Sequence, residues 1–225
     1  MIFKRFILIL SIFYSSISLK AADLPLRVIP ATHVNAKLPM VFFITGDGGW
    51  NSFSQKLAET LAAKGYPVVA LDAKKYFWDE KSPDQTTREA VEVINRYMRL
   101  WKKSTFLLTG FSFGASIVPF VASRLPENLK ASLTGLSLIS AEPRADFEVS
   151  FSGMLNFKES GKYDVLAELK KVKSMEALCI FGAMENAGVT KEFRTSGNRV
   201  VTLKGNHYYN NDQLLLANTI INDIH

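Results

Sequence analysis

This 225-residue chain has only one cysteine and three histidines, little with which to build a disulfide or a zinc site. The single Cys179 excludes an intramolecular disulfide in any compartment. It lies inside the apolar run Ala177-Leu178-Cys179-Ile180-Phe181 and reads as a small buried hydrophobe. His33, His207 and His225 stand at no ligand spacing with one another or with Cys179, so no metal site is expected. There is no phosphate-cradling loop with its lysine and no dinucleotide fingerprint, so no cofactor is expected either. Lys and Arg are scattered, with short clusters at Lys102-Lys103 and Lys170-Lys171-Val172-Lys173. No basic stripe is interleaved with aromatics, and nucleic acid is not an expected partner. Internal repeats and low-complexity tracts are missing as well.

Long apolar runs are also lacking. The run from Phe6 to Leu19, behind Lys4 and Arg5, is broken by serines and falls short of the roughly 18 apolar residues that cross a bilayer. It ends among the small residues Ser16, Ser18, Ala21 and Ala22, a pattern that predicts a cleavable signal peptide over 1–22, with a retained amphiphilic anchor as the alternative. No cysteine there could accept a lipid. The expectation is a periplasmic or secreted protein with one domain over 23–225. The formal charge of +6 drops to +3 once Lys4, Arg5 and Lys20 leave with the leader. That mild excess fits solvated surface charge and is compatible with weak attraction to anionic lipid.

What remains is ordinary globular composition, 48% hydrophobic and 21% charged. Short β-rich runs at Met40–Thr45, Pro67–Leu71, Thr105–Phe111, Leu133–Ile139, Ala177–Phe181 and Arg199–Leu203 alternate with helical periods. All but the last are nearly continuous in apolar residues, as buried parallel strands should be. Helices are predicted at Phe53–Ala63, Thr87–Trp101, from the Ser112 turn through Ser123, and at Gln213–Ile224. The fold class is therefore α/β, a mostly parallel central sheet with helices on both faces. The stretch Ala141–Tyr163 is the least regular, with Pro143, Gly153, Gly161 and the alternation Phe147-Glu148-Val149-Ser150-Phe151. It predicts either an excursion bordering the active site or a short hairpin, with no large lid domain.

The chemistry is carried by Gly110-Phe111-Ser112-Phe113-Gly114, which directly follows a buried-type strand and opens a helix. That context is what the G-x-S-x-G elbow of α/β-hydrolases demands, whereas the bland reading is a tight strand-to-helix turn of any doubly wound protein. The nucleophile sits on a strained turn where flanking side chains would collide, hence glycine on both sides. Its hydroxyl is exposed at the sheet edge, above a helix N-terminus that favours developing negative charge.

A serine of ordinary acidity needs a base. The order serine, acid, histidine removes His33, and His225 is terminal, which leaves His207 in Lys204-Gly205-Asn206-His207 after the last strand. Ten carboxylates lie between Ser112 and His207, and position is the only guide among them. Glu185 follows strand Ala177–Phe181 in Gly182-Ala183-Met184-Glu185-Asn186. Glu142, after Leu133–Ile139, is the alternative by the same geometry, and Asp146 is third. An oxyanion hole calls for the amide after the nucleophile, Phe113, and one from the loop Gly46-Asp47-Gly48-Gly49-Trp50, where Asp47 is the candidate. Gly48 and Trp50 of that loop are candidates for contact with substrate.

Four segments resemble the VirJ/AcvB family of bacterial virulence proteins. They are Gly46-Asp47-Gly48-Gly49-Trp50; Tyr76-Phe77-Trp78 with Ser82-Pro83-Asp84-Gln85-Thr86; Gly110-Phe111-Ser112-Phe113-Gly114-Ala115; and Asp146-Phe147-Glu148 with Ser152-Gly153. The resemblance implies an α/β-hydrolase fold, a periplasmic location and, from the AcvB type, cleavage of the aminoacyl ester of lysyl-phosphatidylglycerol. It also implies a role in virulence tied to type IV secretion, hence contact with a membrane and with secretion-system proteins. A cationic aminoacyl group calls for a carboxylate near the pocket, with Asp47, Asp72 and Asp146 as candidates. Where many α/β-hydrolases carry aspartate as the acid, this chain has Glu185. Two rival expectations stand beside ester hydrolysis by Ser112, Glu185 and His207. One is a non-catalytic accessory or chaperone-like binder of a secretion system, and the other a general carboxylesterase or thioesterase.

Overall fold

The computed structural model describes residues 24–149, 161–172 and 175–224. The expected leader at 1–22 and the segment Ser150-Phe151-Ser152-Gly153 lie outside them.

Among the described residues seven strands form the central sheet: β1 (Leu26–Ile29), β2 (Met40–Ile44), β3 (Val68–Leu71), β4 (Phe106–Phe111), β5 (Leu133–Ile139), β8 (Leu178–Gly182) and β9 (Arg199–Leu203). Their spatial order is β1-β3-β2-β4-β5-β8-β9, parallel throughout except for β1, which runs antiparallel along β3. Every residue of β2, β3, β4 and β8 is buried, because helices cover both faces of the sheet. Among the described residues the helices are α1 (Ser52–Ala63), α2 (Ala73–Tyr76), α3 (Pro83–Leu100), α4 (Phe113–Ser123), α5 (Glu127–Lys130), α6 (Val165–Leu169), α7 (Ala187–Thr195) and α8 (Gln213–Ile221).

Period-two alternation sends β2 side chains to opposite faces. Met40, Phe42 and Ile44 join the core under α3, α4 and α6, while Val41 and Phe43 join the one under α1 and α8. Phe42, Phe43 and Phe106 are fully buried, and each such ring stabilises the fold by about 2 kcal/mol.

Two features differ from the sequence expectation, and a third bears on an alternative it left open. Strand β1 is a short edge strand between Pro25 and Pro30 with a half-exposed pattern, too brief to show a periodic signal. Helix α3 starts at Pro83, because Ser82 Oγ accepts the Gln85 amide at 3.1 Å and proline suits the first turn. In the irregular stretch, β6 (Arg144–Ala145) pairs antiparallel with β7 (Tyr163–Asp164), so its two ends form a short ladder.

From β2 the chain moves to β3 on one side, then crosses to β4 on the other. The strand order reverses there, and the crevice beyond the carboxyl ends of β2 and β4 is where open α/β sheets bind ligands.

Candidate active site

The loop 110–114 lies at that crevice. Ser112 has φ 52° and ψ −117°, a left-handed conformation that strains a non-glycine residue by about 1–3 kcal/mol. Its neighbours enforce it. The Ser112 N–H donates to Ile139 O at 2.8 Å, and its carbonyl accepts the Ala115 amide at 2.9 Å. A Cβ on Gly110 would collide with the Gly114 backbone, and one on Gly114 with the carbonyls of Ile44 and Thr45. Close approach of three backbone segments is thus the reason for glycine at both positions. Phe113 is the first residue of α4, where a helix leaves N–H groups without an intrahelical acceptor.

The Gly46–Trp50 loop leaves β2, which pairs with β4 through Ile44 and Gly110. A Cβ on Gly46 would lie 3.5 Å from Ser112 Cβ, so this loop borders Ser112 directly. Among the described residues the Asp47 N–H donates to no protein carbonyl. Gly48 is exposed at the turn, while Trp50 is half-buried against the α1 core. Asp72 is buried, lies under Gly49 and caps α2 through the Lys75 amide. Asp146 accepts the Lys162 amide at 2.8 Å and so ties together the ends of the irregular stretch. Both of these candidate ammonium contacts are therefore engaged with backbone.

Across the elbow, the loops after β8 and β9 are tied by Ala183 N–H to Leu203 O at 2.7 Å and Met184 N–H to Gly205 O at 3.0 Å. Gly182 admits the approach, since any Cβ there would strike the Asn206 carbonyl. The result brings Glu185 Oε1 to 2.6 Å from His207 Nδ1. Glu185 Oε2 accepts from the Gly182 N–H at 2.5 Å and from Ser140 Oγ at 2.9 Å. His207 is partly open, and its ring lies 5.0 Å from that of Phe111, the residue before Ser112. Ser112 Oγ and His207 are not hydrogen-bonded in this structure; bonds of this kind tighten in the substrate complex.

Of the three carboxylates considered as the acid, Glu185 is the one that reaches His207. Glu142 sits just beyond β5 with its amide on Ser116 Oγ at 2.9 Å. Its residue is exposed, yet the surroundings of its carboxyl group withdraw enough water to push its pKa up, and the charge of Glu185 adds to the rise. Two site residues have no local sequence signal: Ser140, one residue past β5, and Tyr209, two past His207. They become visible only once β5, β8 and the 204–212 loop are side by side. Trp78, Met184 and Tyr208 are exposed apolar side chains on loops at this same sheet edge.

The model of a family described as bacterial virulence protein (VirJ) matches residues 39–225. This chain belongs to the VirJ family. No curated protein sequence matches it. Among solved structures, Est1E from Butyrivibrio proteoclasticus superposes on this VirJ-family chain with a TM-score of 0.63 at 14% identity, covering 87% of this chain and 90% of that one. A lipase-esterase related protein from Clostridium acetobutylicum gives 0.63 at 17%, covering 89% and 99%. The thioesterase domain from the curacin biosynthetic pathway gives 0.59 at 16%, covering 88% and 99%. At such identities the likeness is one of fold, and the fold is that of the α/β-hydrolases.

Proposed function

We propose that this VirJ-family protein is a serine hydrolase of esters, with Ser112 as nucleophile, His207 as general base and Glu185 as the acid that orients it. The observation that carries the reading is the Glu185–His207 hydrogen bond of 2.6 Å on loops beside the strained Ser112 turn. Ser112 Oγ attacks the ester carbonyl while His207 Nε2 takes its proton. Glu185 holds Nδ1–H and stabilises the imidazolium. The amides of Asp47 and Phe113 receive the oxyanion, the alcohol leaves with the proton from His207, and water then cleaves the acyl-enzyme by the same steps.

The finer proposal is the aminoacyl ester of a phospholipid, lysyl-phosphatidylglycerol, cleaved in the periplasm. The exposed Trp78, Met184 and Tyr208 around the site suit a lipid-borne ester. Asp47 and Glu142, on loops either side of Ser112, make no ion pair among the described residues, which suits a cationic acyl group.

The test is to follow free lysine from lysyl-phosphatidylglycerol in micelles, together with fluorophosphonate labelling. Wild type should release lysine and be labelled at Ser112, with labelling abolished in His207→Ala. If Ser112→Ala releases lysine as fast as wild type, the mechanism is wrong. A folded but unlabelled wild type would favour a non-catalytic accessory, and preference for fatty-acyl esters a general esterase.

A further inference from the structure

We infer that Ser140 and Tyr209 are positioning residues, a buried hydroxyl chain that holds Glu185 in line with His207. The inference rests on the triad reading above, and it concerns two residues that touch neither substrate nor the reacting atoms.

Both side chains are interior, Ser140 2% and Tyr209 0% exposed. Tyr209 OH lies 2.6 Å from Ser140 Oγ and 2.9 Å from Ile180 O, and Ser140 Oγ lies 2.9 Å from Glu185 Oε2. Two hydroxyl protons must serve these three contacts. Ile180 O is already satisfied, since it accepts the Ser140 N–H at 2.8 Å. Glu185 as a carboxylate has only acceptors, so the 2.9 Å contact needs the Ser140 proton, and the 2.6 Å contact then needs the Tyr209 proton. The chain therefore runs in one direction, Tyr209 O–H to Ser140, and Ser140 O–H to Glu185. With the Gly182 N–H on the same oxygen, Oε2 is pinned by two donors and Oε1 is left facing His207.

The backbone is bent to make this chain. Ser140 has φ 56°, and Tyr209, Asn210 and Asn211 follow one another at φ 52°, 52° and 59°. A bulky tyrosine in the left-handed region is an outlier that persists only where its surroundings over-determine it. Here the strain aims two hydroxyls, from the β5 and β9 loops, at each other beneath a carboxylate from the β8 loop. The third loop of the triad is thus keyed to its two neighbours.

The experiment uses histidine-15N-labelled protein, in which three histidines make assignment simple. In Glu185→Ala, His207 Nδ1 loses its acceptor, and its nitrogen resonance defines the unpaired position. Ser140→Ala and Tyr209→Phe should each move the Nδ1 resonance from the wild-type position toward that one, Ser140→Ala further. Ser140→Gly, which relaxes φ, should behave as Ser140→Ala and serves if either other variant fails to fold. In turnover, Ser140→Ala should lower kcat about tenfold with KM little changed, the size of one hydrogen bond to a charged group. In the Glu185→Ala background it should lower kcat no further. A resonance that stays at the wild-type position, or an equal loss of kcat in both backgrounds, overturns the inference. The resonance is read on the resting protein, so a chain without hydrolytic activity would refute the triad reading and leave this test intact.

Discussion

Replacing Glu185 by glutamine keeps shape and removes charge, and its effect can be worked from the geometry. With Nδ1 and Oε1 2.6 Å apart, the charge centres of imidazolium and carboxylate are separated by about 4 Å, worth about 4 kcal/mol at an effective dielectric near 20. The His207 side chain is 38% exposed and Glu185 14%, so solvent screens part of this, leaving about 2–3 kcal/mol. Because the imidazolium exists only as the reaction proceeds, the loss falls on kcat, about 30- to 150-fold, with KM almost unchanged. Initial rates on a chromogenic ester over a range of substrate concentrations measure both. On an ester whose acyl group carries no charge, so that the ammonium contact proposed for Glu142 plays no part, Glu142→Gln is the comparison and should stay within about threefold of wild type because its carboxylate makes no bond to His207. The reasoning fails if Glu185→Gln keeps more than a third of the wild-type kcat, or if Glu142→Gln matches its loss.

Gly114→Ala places a methyl against the Ile44 and Thr45 carbonyls and should lower unfolding free energy by about 3 kcal/mol, read as a fall in the urea midpoint; an unchanged midpoint refutes the steric account of the elbow. Glu168 is buried among Ser123, Arg124 and Lys171; burial alone would raise its pKa, but hydrogen bonds from Lys171 and Ser123 and the charge of Arg124 outweigh it and hold it below the usual range. Its contribution is therefore complete above the unfolded carboxyl pKa and is lost as pH falls through the lower folded value. Denaturation in wild type and Glu168→Gln should accordingly differ at pH 7 and converge in acid, and a gap that widens in acid contradicts the sign. Cys179 is fully buried, and burial, with the charges of Glu176 and Asp223, pushes its thiol far up, so a thiol-reactive disulfide reagent should leave native protein unmodified and modify one thiol after unfolding. Rapid modification of native protein would show that β8 opens locally.

The two sides of the site were legible to different degrees. The 110–114 elbow announces itself because strand, turn and helix constraints fall within one short stretch, and glycine is demanded by contacts the turn makes with its own helix and with β2. Helix α3 carried a comparably local signal in Ser82-Pro83-Asp84, although apolar periodicity alone placed its start later. Strand β1 stayed hidden, since edge pairing depends on a partner strand rather than on the segment's own pattern. Asp72 and Asp146 each accept one backbone amide on Oδ1, contacts set by loops that the segment's own pattern does not show.

The sequence by itself determined the α/β class and the strained turn at Ser112, and it put His207 forward as the candidate base, because buried strands need apolar runs, a strained turn needs small neighbours, and the chain order removes His33. Only the tertiary structure decided which carboxylate faces His207. Glu142 and Glu185 both follow parallel strands at the same sheet edge, and along the chain they are equivalent candidates. What separates them is three-dimensional: the β8 and β9 loops are bonded backbone to backbone, Gly182 lets them close, and the Ser140 hydroxyl and Gly182 amide turn the Glu185 carboxylate to the imidazole.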